Sequence, residues 1–144
     1  ARSDRHEWVS IAGCLCILIC FLAAASPCFA QTPTNFKIAF IGDQGLGTDA
    51  KAVLNLIKSE GASAVVHSGD LDYDSNPSAW ESQVNSVLGA NFPYFCSVGN
   101  HDTSSWSGSG GYQSYMQARC NRIGVSWSGD LGVKSYLTYR GILI

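Results

Sequence analysis

The chain predicts an α/β fold in which strand–helix–strand units succeed one another around a largely parallel sheet. Three observations carry this. Apolar, β-branched runs occupy 36–41, 62–67 and 93–98. Apolar residues recur at helical spacing in the two intervals between them. Each run is followed closely by a glycine turn. The length of 144 residues, with 46% hydrophobic and 14% charged residues, suits one globular domain and not a disordered chain. A formal charge of -2 offers no attraction for nucleic acid or an anionic membrane surface.

The first strand is expected at 36–41, where Phe36, Ile38, Phe40 and Ile41 lead into Gly42. A helix follows from Thr48 to about Glu60, with Thr48 as cap, Ala52, Val53, Leu56 and Ile57 as its core stripe and Gly61 as its stop. The second strand, 62–67, centres on Val65 and Val66. Pro77 opens a second helix whose Trp80, Val84, Val87 and Leu88 share a face and which Gly89 ends. The third strand is 93–98. Beyond it, 104–111 is rich in Gly and Ser with Trp106 its single large apolar residue, and reads as a flexible rim loop. A short helix at 112–121 and a strand within 135–144 close the sequence. The apolar end Gly141-Ile142-Leu143-Ile144 would leave an exposed strand edge, so the domain is expected to be cut short.

Residues 1–30 read as a secretory signal peptide. Arg2 and Arg5 precede an uncharged apolar run at 9–25, Ser26-Pro27 break it, and Cys28-Phe29-Ala30 supplies a small-x-small cleavage site. An uncleaved anchor is the alternative, but the run is short for a bilayer span. Ile11-Ala12-Gly13-Cys14 resembles a lipoprotein box and stands on the wrong side of the apolar run. The expected organisation is therefore a signal peptide at 1–30, a polar leader at 31–35 and a catalytic-type domain at 36–144, in a secreted product without stable membrane association. Of six cysteines, Cys96 and Cys120 remain after cleavage, as a disulfide or as buried free thiols.

The chemistry lies in Gly42-Asp43-Gln44-Gly45, Gly69-Asp70-Leu71-Asp72-Tyr73 and Gly99-Asn100-His101-Asp102, which follow the three strands. Ligands of parallel sheets gather at the carboxyl ends of strands. Asp43 and Asp70 arrive there with no cationic neighbour in either loop, an unfavourable pairing unless a cation neutralises it. Asn100 adds an amide oxygen, and Tyr73 a phenol that needs a strongly acidic metal such as ferric ion to lose its proton. His101 diverges from Asn100 and suits contact with substrate or leaving group. Asp72, Asp74 and Asp102 are expected on a solvated rim, and His67 in the core or at an edge. Asp70, Asp72, Asp74 and Glu81 also match positions 1, 3, 5 and 12 of a calcium loop, against Ser75 in place of the glycine, Pro77, and a strand where a helix should enter.

These motifs resemble the calcineurin-like metallophosphoesterases, and within them the purple acid phosphatase branch, marked by GDxG, GDxxY and GNH followed by Asp or Glu. Gly45 stands where other branches carry a metal-binding His. The resemblance implies half of a four-layer α/β/β/α sandwich, truncated at the C-terminus, and a binuclear centre of Fe(III) with divalent Fe, Zn or Mn. By position, Asp43 and Tyr73 would bind the ferric ion, Asp70 would bridge both metals, Asn100 would bind the divalent one, and His101 would contact the phosphate. The implied activity is phosphomonoester hydrolysis by in-line attack of a metal-bound hydroxide on a small phosphate ester. A phosphodiesterase and a non-catalytic metal-binding module are the alternatives. The family's VxxH and GHxH motifs do not occur in the sequence, so the chain is expected to be an N-terminal piece with little activity alone.

Overall fold

The computed structural model describes residues 35–144; the expected signal peptide and most of the polar leader lie outside the described residues. Strands β1 (Ile38–Ile41), β2 (Ala64–His67) and β3 (Tyr94–Cys96) form a parallel sheet in that order. Register pairs Phe40 with Val66 and Val66 with Phe95, so these three side chains share one face. Helices α1 (Thr48–Ser59) and α2 (Pro77–Val87) make the two crossovers. Helix α3 (Tyr112–Arg122) follows β3. This is the α/β arrangement that the alternating pattern predicts.

Helix α1 buries Ala50, Leu54 and Ile57, whereas Val53 and Leu56 are exposed. The expected stripe through Ala52, Val53 and Leu56 is therefore rotated. Both stripes have helical spacing and meet at Ile57, and packing against the sheet and α2 selects the one bearing small Ala50. Thr48 is the first helical residue and not the cap, a position held by Gly47 without a side-chain bond. The cap of α2 is regular: Asn76 accepts from the Ala79 amide at 3.1 Å, and Pro77 follows it. Trp80, Val84 and Val87 are buried as expected.

The chain after α3 departs further from expectation. Instead of a single strand within 135–144, β4 (Trp127–Asp130), β5 (Lys134–Tyr139) and β6 (Ile142–Leu143) form an antiparallel sheet. Lys134–Tyr139 alternates outward and inward residues and buries only Leu137, a pattern too short and polar to stand out in sequence. Segment 104–111 is not a loose rim. Trp106 is 3% exposed, its carbonyl accepts from the Gln113 amide at 3.0 Å, and a 3-10 turn (Thr103–Ser105) precedes it.

Cys96 and Cys120 are buried free thiols, so the disulfide alternative is set aside. Burial raises the Cys120 thiol to about 11 and the Cys96 thiol higher still, leaving both protonated and inert. Cys96 Sγ lies 3.1 Å from Met116 Sδ. Among the described residues no helix is long and apolar enough to cross a membrane.

Candidate metal centre

The three loops reach one another through backbone hydrogen bonds. The amides of Asp43 and Gln44 donate to the carbonyls of Gly69 and Asp70, at 3.2 and 3.0 Å, which seats the first loop on the second. The second and third loops come closer still. A Cβ on Gly69, at φ 105°, would stand 2.6 Å from the Gly99 nitrogen, and one on Gly99 would strike the amide and carboxylate of Asp70. Glycine at both positions follows from this contact and from the left-handed backbone of Gly69. Of four non-glycine described residues at positive φ, two are Asp43 (51°) and Asp70 (58°). Aspartate tolerates this region better than most residues, and such backbone concentrates at functional sites.

Asp43 and Tyr73 meet directly. The Tyr73 hydroxyl donates to Asp43 Oδ1 at 2.8 Å, and the half-exposed ring lies against the His101 imidazole with centroids 4.7 Å apart. The bond to Asp43 raises the Tyr73 phenol above its ordinary value, with some help from burial and from the charges of Asp43, Asp70 and Asp102. A phenolate there therefore requires a cation. Asp70 is half-buried, and its Oδ1 accepts the His101 amide at 3.0 Å. Asn100 and His101 are exposed on the third loop, where the Asn100 carbonyl accepts from Thr103 Oγ1 at 3.2 Å. Asp43, Asp70 and Tyr73 thus converge, with Asn100 and His101 on the adjoining loop.

Two of the three supposed rim acids are buried. Asp102 is 0% exposed: its Oδ2 accepts from the amides of Asp70 (2.9 Å) and Gly99 (2.8 Å), and its Oδ1 from Leu71 (2.9 Å). Asp72, also 0% exposed, accepts from the amides of Asp74 and Asn76 and from the Tyr112 hydroxyl at 2.5 Å. Burial and this bond hold the Tyr112 phenol well above its ordinary range. Both carboxylates satisfy backbone amides that a sharp glycine turn would otherwise leave buried and unpaired. Asp74 is exposed, as expected. The calcium-loop alternative fails on the same geometry, since Asp72 faces Tyr112 and Glu81 pairs with Arg119 and Arg122.

Gln83, on α2, braces the first loop although the sequence does not mark it as a site residue. Its Oε1 accepts the Gly47 amide (2.8 Å) and its Nε2 donates to the Gly45 carbonyl (3.1 Å), fixing the end of the first loop. Tyr94 likewise donates to Gln44 Oε1 at 2.6 Å. Nothing in sequence spacing marks either contact.

His67 is a core residue, 1% exposed, with neither ring nitrogen hydrogen-bonded and its ring edge-on to Tyr94. Desolvation lowers its pKa from 6.5 to about 4, against the opposing charges of Asp43 and Asp70. Because the folded value lies below the unfolded one, the stabilisation is complete above pH 6.5 and is lost as pH falls toward 4. The loss amounts to about 3 kcal/mol. Urea unfolding at pH 7 and pH 4.5 should show this for the wild type and a flatter dependence for His67→Leu; parallel pH curves would refute the assignment.

The donors at the loops fit a hard cation in kind, and the one pair in contact, Asp43 with Tyr73, also in spacing. Oxygens on adjacent vertices of an octahedron with bonds of about 2.0–2.1 Å stand about 2.9 Å apart. The Asp43–Tyr73 oxygens are separated by 2.8 Å. The ion pairs found among the described residues, Lys37–Glu60, Arg119–Glu81 and Arg122–Glu81, all lie elsewhere. In number the donors fall short of two coordination spheres, and among the described residues no three His, Cys, Asp or Glu side chains group to hold a metal. A cavity of about 270 Å³ beside β5 is lined by residues including Val66, Phe95, Met116 and Leu137, and none of the candidate ligands lines it.

Residues 36–143 match the family model for calcineurin-like phosphoesterase. The chain belongs to that family. No curated protein and no solved structure gives a significant match. Membership makes the domain a metallophosphoesterase, a hydrolase of phosphate esters whose relatives typically bind a binuclear metal centre and act on small phosphate-ester substrates. The parallel sheet with crossover helices is the fold expected of it.

Proposed function

We propose that the protein is a secreted acid-phosphatase-type phosphomonoesterase of the purple branch, with Asp43 and Tyr73 holding a ferric ion, Asp70 shared by both metals, and Asn100 holding divalent iron, zinc or manganese. The observation that carries this reading is the 2.8 Å bond between Tyr73 and Asp43, which puts a phenol oxygen and a carboxylate oxygen at ligand spacing on two different loops. The cations would supply Lewis-acid neutralisation of phosphoryl charge and acidify the attacking water.

The chain's own residues do the rest. His101, exposed beside Tyr73, would hydrogen-bond a phosphate oxygen or protonate the leaving group. The Asp70 carboxylate, fixed by the His101 amide, keeps that histidine's backbone at a set distance from the metal side of the site. Exposure of Asp43, Tyr73, Asn100 and His101 leaves the centre open to a small ester.

The full-length gene product, assayed on mono- and diester substrates with and without chelator, tests the activity. Preference for the diester selects the phosphodiesterase alternative, and metal binding without turnover the non-catalytic module. Tyr73→Phe tests the metal. The wild type, iron-loaded, should show a visible phenolate-to-iron absorption band and the variant should lose it. A loaded protein that is colourless in every redox state overturns the ferric assignment.

A further inference from the structure

The second and third loops brace each other reciprocally. Asp102, from the third loop, accepts two amides of the second, Asp70 and Leu71, and one of its own, Gly99. Asp70, from the second loop, returns the contact by accepting the His101 amide of the third. The contact closes only because Gly69 and Gly99 lack a Cβ.

We propose that Asp102 is a positioning residue that holds the second and third loops in register and thereby sets the cation affinity of Asp70. This rests on the reading of Asp70 as a metal ligand. Asp70 sits at φ 58°, a backbone conformation of limited stability for a residue with a side chain. Asp102 binds that residue's own amide, so the carboxylate of the third loop opposes relaxation of the ligand's backbone. The same carboxylate is acceptor-only, and three donors occupy it. Asparagine has the same shape, yet with its oxygen kept on the Asp70 and Gly99 amides its NH2 faces the Leu71 amide, which removes an acceptor and adds a donor–donor contact. The brace then opens at Leu71, the residue next to Asp70; the second loop shifts, and the His101 amide loses its hold on Asp70 although it never touches Asp102.

The test uses the full-length protein with Zn2+ as the probe, and compares the wild type, Asp102→Asn and Glu81→Gln, the last removing a buried charge remote from the loops. In Asp102→Asn, Zn2+ affinity should fall about 10- to 100-fold, the range for groups that orient a metal ligand. Exchange of the His101 amide should accelerate at the same time. Glu81→Gln, measured below its melting transition, should change neither. The proposal fails if the His101 amide keeps its protection in Asp102→Asn, or if Glu81→Gln reproduces both effects through general loosening. A wild type that takes up no Zn2+ overturns the reading of Asp70 as a ligand and the affinity claim with it; that failure is distinct, because the His101 amide still reports the brace. If Asp102→Asn does not fold, Asp102→Glu keeps the charge while its extra methylene displaces the oxygens, and the same two readouts decide.

Discussion

Asp70→Ala in the full-length protein should lower kcat/KM for phosphate esters by about a thousand-fold or more, the scale of losing a preorganised charge at the reacting centre. Asp70 is the hub of the three loops. Its carbonyl accepts from Gln44, its amide donates to Asp102, and its carboxylate accepts from His101. Truncation removes only the last of these, so the loops keep their backbone bonds, and the fold should survive the cost of about 1 kcal/mol for alanine at φ 58°. The diagnostic result is a folded variant that melts a few degrees below the wild type and shows no metal-dependent turnover. Retention of a tenth or more of the activity would sink the assignment of Asp70 to the metals.

Much of this site could be read from the chain because its parts are local. A glycine turn after an apolar run places Asp43, Asp70 and Asn100 at strand ends whatever the rest of the fold does, and the parallel pairing of β1, β2 and β3 brings those ends together. The residues whose burial departs from the sequence expectation act over long separations. Asp102 and Asp72 read as solvated acids because the partners that bury them are remote: beside the local amides of Gly99 for the one and Asp74 and Asn76 for the other, Asp102 accepts from amides 31 and 32 residues away and Asp72 from the Tyr112 hydroxyl 40 away. An acid directly after Asn-His in a glycine turn is a usable signal for such a clamp, since the turn strands backbone donors. The buried face of α1 departs from expectation for another reason. Two stripes of equal periodicity exist there, and only the packing partner decides between them.

Arg119→Met should destabilise the domain by about 3–5 kcal/mol, the usual loss when one partner of a buried ion pair is removed. For a domain of this size the melting temperature should drop by about 10–20 °C. Arg119 is fully buried on α3, and its guanidinium donates to Glu81 (2.7 Å) and Asn85 (2.6 Å) on α2 and to the carbonyls of Gly89, Ala90 and Phe92. Those carbonyls belong to the connection that leads into β3, and so to the strand that delivers Asn100 and His101. The Met side chain fills similar volume, which separates the polar effect from a cavity. Glu81 retains Arg122 and Asn85 as partners, so its charge is left only partly compensated. Adding Glu81→Met to Arg119→Met should recover part of the loss by removing that stranded charge; Gly89 and Ala90 keep the Phe92 amide and Arg122 Nε as donors, but the Phe92 carbonyl and Asn85 Oδ1 lose theirs and prevent full recovery. Thermal melts of the single and double variants check this: a single variant within 1 kcal/mol of wild type, as a roughly neutral surface change would give, contradicts a structural role for Arg119. A double variant no better than the single assigns the whole loss to the Phe92 carbonyl and Asn85 and none to Glu81.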